Sequence, residues 1–304
     1  MSIRPVKSES TARPTMEGAG VHLHRVFGFG DPSQTDPFLM MDDFRNDDPS
    51  HYAAGFPWHP HRGIETITYV LAGSVEHADS LGNSGELGPG SVQWMTAGSG
   101  ILHQEMPKGD TDGRMHGFQL WANLPSSMKM CKPRYQDITA TDIPELFDDD
   151  GSIIRVVIGN WRGKLGPIDG IAAEPQYLDV SIPANTRKII PIDAYRNAFA
   201  YVFNGSASFK NSSVPVGIQI EKEIQGNEVF MRDKSGNRTL ILFDTGDEIV
   251  VETRDESVRF LLISGKALKE PVAWHGPIVM NTQLEIQQAL KDLNDGSFIK
   301  ESAR

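Results

Sequence analysis

G-F-P-W-H-P-H-R-G-I-E-T (residues 55–66) and G-S-G-I-L-H-Q-E-M-P (residues 98–107) bracket the part of the chain whose reading decides the fold. Each holds two metal-ligand side chains split by a single residue, His59/His61 in the first and His103/Glu105 in the second. On a β-strand, residues i and i+2 share a face roughly 6 to 7 Å apart. Two facing strands can therefore converge four donors on one point with no helix involved. Three neutral imidazoles and one carboxylate suit Fe, Mn, Ni, Cu or Zn better than Mg or Ca. Four protein ligands also leave coordination positions for water or substrate, so the spacing predicts a site open to chemistry. The plainer readings are interior histidines or a metal that only staples a barrel. The interlocking of two such pairs favours a metal.

Around this stretch the chain reads as strands and turns. Residues 1–20 look like a polar lead-in, and V-H-L-H-R-V-F-G (21–28) alternates like a strand. Its His22/His24 pair is a rival H-x-H without a second pair to meet it, and half-exposed strand histidines are expected there. Asp36-Pro37 turns the chain into a short buried run, with Asp43 a candidate for the cavity mouth. After His61, I-E-T-I-T-Y-V-L-A-G is a strand rich in β-branched residues. The next segment, bearing His77 and Asp79, is a strand ending in a hairpin turn at 82–85, with His77 expected on the surface. Gly98 and Gly100 allow a tight bend before the second ligand pair. H-G-F-Q-L-W-A-N-L (116–124) closes a first barrel, with Gln119 able to line it. Phe56 and Trp94 are apolar candidates for the cavity, core being the default for Trp94.

The second half repeats this style without its chemistry. Strand-like runs follow between residues 152 and 268. F-N-G-S-A (203–207) resembles L-A-G-S-V (71–75), and T-G-D-E-I (245–249) is matched to G-P-G-S-V (88–92). No histidine occurs between Gly117 and Trp274. A duplicated barrel that has lost its ligands fits this pattern. The expected division is a metal-binding barrel over 1–134, a linker over 135–151 and a ligand-free barrel over 152–304. The latter ends in a helix, with Asn281 or Thr282 as N-cap and Gly296 as stop signal.

Composition narrows the function. A formal net charge of −11 and the lack of a basic run argue against nucleic acid as a partner. No stretch approaches the 18 apolar residues of a membrane span, no signal-like apolar segment opens the chain, and a single cysteine, Cys131, suits a reducing compartment. A cytoplasmic protein without nucleic-acid or membrane partners is expected. Cys131 reads as a bland thiol.

The motifs H-P-H-R-G-I-E-T-I-T-Y (59–69), V-Q-W-M-T-A-G-S-G-I-L-H-Q-E-M (92–106), H-G-F-Q-L-W-A-N-L (116–124) and E-P-V-A-W-H-G-P-I-V-M-N-T (270–282) resemble the pirin family of the cupin superfamily. The resemblance implies an all-β, mainly antiparallel bicupin: two face-to-face β-barrels, with a metal only in the first, and a C-terminal helix. It places the ligands on His59, His61, His103 and Glu105, with Glu65 outside the coordination sphere, orienting Arg62 or a histidine ring. It further implies one divalent transition metal per chain, Fe(II) first, with Mn, Ni, Cu, Co or Zn compatible. The implied activity is that of a quercetin 2,3-dioxygenase: a flavonol and O2 react, the heterocycle opens and carbon monoxide leaves, with Glu105 as proton acceptor. The alternative is a metal- or redox-dependent regulatory protein acting through protein contacts.

Overall fold

The computed structural model describes residues 2–209, 223–225, 228–230 and 234–300. Two compact units divide it: Arg13–Asp142 with Leu268–Arg304, here the metal-site unit, and Ile143–Ala267 with Met1–Ala12, the companion unit.

In the metal-site unit, seven antiparallel strands form one sheet in the order Arg134–Ile138, Val92–Thr96, Ile64–Ala72, His116–Asn123, Phe38–Asp43, Val21–Phe27, Arg13–Glu17. A second, four-stranded sheet runs Phe56–His61, Ile101–Lys108, Ser74–Asp79, Ser84–Leu87. Phe38–Asp43 is buried at every position and Ile64–Ala72 at its first seven, because these strands lie inside the sheet and are covered on both faces. The alternation expected of a half-solvated strand is therefore muted there.

The companion unit repeats the plan. Its seven-stranded sheet runs Val6–Thr11, Thr239–Phe243, Asn197–Gly205, Val258–Gly265, Gln176–Ile182, Ile153–Ile158, Glu145–Phe147, and a three-stranded sheet runs Arg187–Pro191, Glu248–Glu252, Ser208–Phe209. The internal duplication read from L-A-G-S-V and F-N-G-S-A is visible at the glycines. Gly73 (φ 72°) and Gly205 (φ 68°) link equivalent strands, and a Cβ would lie 2.4 Å from the Lys108 carbonyl oxygen at the first and 1.9 Å from that of Ser257 at the second. Only glycine fits such a position.

Three expectations about boundaries change. The lead-in is structured: Val6–Thr11 pairs with Thr239–Phe243, and Arg13–Glu17 pairs with Val21–Phe27. Both are edge strands made largely of polar residues that are partly or fully exposed, so periodicity could not betray them. The linker is likewise occupied by two edge strands, Arg134–Ile138 and Glu145–Phe147, and the units part between Asp142 and Ile143. Residues 268–304, assigned to the second barrel, belong with the metal-site unit. Finally, T-G-D-E-I lies between Thr239–Phe243 and Glu248–Glu252, which is the place of the 97–100 turn rather than of G-P-G-S-V. Two glycine turns of similar composition flank one strand, and sequence likeness selected the wrong one.

The returning segment is tied down at several points. Asp36 accepts hydrogen bonds from the backbone N–H groups of Leu268 and Lys269. Residues Ala273–His275 and Ile278–Met280 form a hairpin, followed by the helix Gln283–Asn294. Thr282 caps that helix in a capping box with Glu285, and Gly296 follows it in the left-handed region (φ 71°). Arg62 is the anchor. Its guanidinium is 2 % exposed, pairs with Asp292 at 2.8 Å, donates to the carbonyls of Ser99 and Phe298, and lies over the Phe298 ring. Among the described residues no helix is long and apolar enough to cross a membrane.

Candidate metal centre

His59 stands directly opposite His103 where Phe56–His61 pairs with Ile101–Lys108, and His61 follows on the same face of its strand. The three rings meet. His59 Nε2 lies 3.0 Å from His61 Nε2 and 2.9 Å from His103 Nε2, and all three donors fall within 4.8 Å of one another.

The surrounding hydrogen bonds show what this meeting point suits. Carbonyl oxygens only accept, so His59 Nδ1–H donates to the Pro57 carbonyl (2.8 Å) and His61 Nδ1–H to that of Pro277 (3.2 Å). In a neutral ring with Nδ1 protonated, Nε2 carries a lone pair. Burial holds His61 and His103 well below the ordinary histidine value, and neighbouring rings add to the effect, so both are neutral at pH 7. The Nε2 lone pairs of His59 and His61 then face each other at 3.0 Å, an arrangement that a shared cation satisfies and a proton-free contact does not. The donor set fits one transition metal.

Glu105 lies on the same strand as His103, after an irregularity in the pairing with Phe56–His61. It lines the cavity beside His59 and His61, but its carboxylate is outside the group of three donors that lie within 4.8 Å of one another. Its Oε1 lies 3.1 Å from Thr68 Oγ1, whose single proton it shares with Gln119 Oε1 at 2.9 Å, and burial raises its pKa.

His59 and His61 line a cavity of about 430 Å³, a size that takes a drug-sized ligand. Met40, Phe44, Phe56, Trp58 and Trp121 give it apolar walls. Thr68, Gln119, Asp42 and Arg25 supply polar groups on the seven-stranded sheet.

Other candidates fall elsewhere. His22 is exposed and stacks on His51, with ring centroids 4.3 Å apart. His77 is not a surface histidine but 6 % exposed; its Nε2 accepts from Gln93 Nε2 at 3.1 Å, and Gly85 leaves the room its ring needs. Asp79 closes the hairpin turn by accepting from the backbone N–H groups of Leu81 and Asn83. Glu65 does not reach Arg62: it accepts from Thr96 Oγ1 at 2.7 Å, directly across the strand pair, and burial raises it to about 7. Burial also pushes the Cys131 thiol up, away from its thiolate form. Trp94 is core at 1 % exposure, whereas Phe56 and Gln119 do line the cavity. Asp43 turns away and pairs with Arg45, and its neighbour Asp42 is the residue in the cavity wall. The parity of the strand, set by Met40 on the cavity face, was the signal that could have chosen between them.

Two double-sheet units of matching topology, with a three-histidine cluster on facing strands of one, define a bicupin with a candidate single-metal site. Residues 20–122 match the model of the pirin family and residues 177–299 that of the pirin C-terminal cupin domain, and the chain belongs to the pirin family. A pirin-like protein of Caulobacter vibrioides is 41 % identical, the alignment covering 98 % of this chain and 100 % of that one. A Pseudomonas aeruginosa protein provisionally named a quercetin 2,3-dioxygenase is 39 % identical over 96 % of this chain and 97 % of its own. A crystal structure of a quercetin 2,3-dioxygenase from Acinetobacter baumannii superposes with a TM-score of 0.84 at 28 % identity, covering 98 % of this chain and 99 % of that one.

Proposed function

We propose that the chain is a metal-dependent dioxygenase that opens the heterocycle of a flavonol such as quercetin with O2 and releases carbon monoxide. The observation that carries this reading is the convergence of three imidazoles, two of which line a largely apolar cavity together with the buried carboxylate of Glu105. Relatives named for the same activity support it. His59, His61 and His103 hold the metal, Glu105 is the fourth donor, and Fe(II) is the ion of choice. When bound, the ion supplies Lewis acidity, lowering the pKa of the flavonol hydroxyl and orienting its chelating oxygens.

The chain's own groups do the rest. Thr68 holds Glu105 Oε1, leaving Oε2 to accept the hydroxyl proton. Phe44, Phe56 and Trp121 give the flat rings an apolar bed that limits the entry of water. Pro57 and Pro277 carbonyls fix the tautomers of two histidines, so that their lone pairs point at one place.

The test is aerobic quercetin turnover with carbon monoxide detection, using Fe(II)-reconstituted protein beside His103→Ala and Glu105→Gln. Turnover that disappears in His103→Ala is expected, with Glu105→Gln slowed about a hundredfold, the contribution of a positioned general base. Stoichiometric iron without turnover would replace the proposal with a metal-dependent binding protein acting through protein contacts.

A further inference from the structure

Four polar residues cross the cavity wall at matched register on adjacent strands. Thr68 is opposite Gln119, Gln119 is opposite Asp42, and Asp42 is opposite Arg25. Thr68 hydrogen-bonds Glu105 beside the histidines, so the row leads away from the metal site. Thr68 and Asp42 are two strands apart, about 9.5 Å, comparable with the distance between the chelating oxygens of a flavonol and the hydroxyls on its pendant ring.

The far end of this row is rigid and electrically biased. Arg25 Nε and Nη2 each hold one Asp42 oxygen at 2.9 Å, and Nη2 also meets Glu17 at 2.8 Å. The guanidinium lies over the ring of Phe29, 4.8 Å from its centroid. Phe29 itself has φ 52°, a strained setting for a bulky residue, and packs on Trp274. Arg25 is thus committed on both sides, while Asp42, only 3 % exposed, still contributes to the cavity wall. Each of its oxygens retains a lone pair beyond the one that Arg25 uses. At this end of the cavity Glu17 and Asp42 outnumber the single Arg25, which disfavours carboxylated or sulfated rings here and favours neutral hydroxyl donors.

We propose that Asp42, held by Arg25, is the specificity-determining residue for this site: it accepts a hydrogen bond from a hydroxyl on the pendant ring of a metal-chelated polyphenol. The inference rests on the flavonol reading above and adds the substrate class, aromatic compounds hydroxylated at the end remote from the chelating oxygens.

The test compares quercetin with galangin, which shares its ring system and chelating oxygens but has no hydroxyl on the pendant ring. Binding to Fe(II)-loaded protein under anaerobic conditions is read by quenching of tryptophan fluorescence, since Trp58 and Trp121 line the cavity. Parent protein is expected to bind quercetin about tenfold more tightly, the equilibrium equivalent of one charge-assisted hydrogen bond. Asp42→Asn should shrink that ratio at least about threefold. If Asp42→Asn fails to fold, Arg25→Lys, which gives up the fork gripping both Asp42 oxygens, is expected to reduce the same ratio. Equal affinity of the parent for both compounds, or an undiminished ratio in a folded variant, overturns the role of Asp42 while leaving the flavonol reading intact. Failure of both compounds to bind the parent overturns the two together.

Discussion

Across one strand pair of the metal-site unit His59 faces His103; across the equivalent pair of the companion unit, Arg187–Pro191 with Glu248–Glu252, Ile190 faces Ile249 and Lys188 faces Val251. The consequences run through each interior. In the companion unit Ile190, Ile249 and Val251 join one continuous core with Trp161, Phe209 and Phe260. In the metal-site unit the buried apolar residues around Val21 and Val70 form one cluster and those around Ile64 and Met95 another, and a cavity of about 430 Å³ is kept open. The same sheet plan therefore carries an aliphatic strand pair within a continuous core in one copy and a histidine pair beside a lined cavity in the other. Close packing stabilises, whereas a cavity forgoes the dispersion contacts of its missing occupants.

The sharpest way to break this contrast is to remove a donor. His59→Ala should lose stoichiometric metal, with affinity falling by more than the tenfold to hundredfold that loss of a supporting group costs; metal analysis after dialysis checks it. A variant that still holds one ion per chain would put the site elsewhere.

Next in size is the anchor beneath the site. Asp292→Asn leaves Arg62 buried without its carboxylate and should cost about 3 kcal/mol in the metal-site unit. Hydrogen bonds from Lys300 and Arg62 hold the Asp292 carboxyl well below the usual range. Its folded pKa thus lies under the unfolded one, so the contribution is complete above about pH 4 and fades as pH falls further. Urea titrations of parent and variant should converge in acid.

Packing offers a direct comparison between the two units. Ile190→Ala empties a filled core and should cost about 3 kcal/mol. The removed atoms of Met40→Ala face a cavity that already exists, so its cost should be less than half of that. Equal costs by urea titration would mean that the cavity is filled or collapsed in solution.

The smallest effect concerns Lys129, whose Nζ donates to the carbonyls of Gly63 and Val279 and to Asn123 Oδ1. Burial pulls it down to about 7. An unfolded lysine titrates near 10.4, so between about pH 7 and 10 the unfolded chain binds more protons and folding becomes more favourable as pH rises. Lys129→Met should flatten that slope in urea midpoints measured at pH 7 and 9.

Much of this arrangement was legible in the residues. The i, i+2 spacing of two ligand pairs points to four donors on two facing strands; the strands are paired neighbours in one sheet, and three of those residues, His59, His61 and His103, meet there. The duplication was readable because Gly73 and Gly205 occupy the same obligatory turn. What could not be read depends on partners distant in sequence. Val6–Thr11 is a strand only because Thr239–Phe243 offers it an edge. Arg62 finds its carboxylate on a helix more than two hundred residues away. Asp42 and Asp43 are indistinguishable in composition, and only strand parity puts one in the cavity and the other against Arg45.

The carbonyl of Pro277 gives the site a timetable. All three histidines are synthesised by residue 103, yet the acceptor that fixes the His61 tautomer, Pro277, follows Ile143–Ala267 of the companion unit. Arg62, next to His61, waits longer still, for Asp292 and the Phe298 carbonyl. A nascent chain holding only the first barrel has the donors, and Pro57 to orient His59, but not the acceptor that orients His61, so a centre ordered in this way matures as one of the last events of biosynthesis.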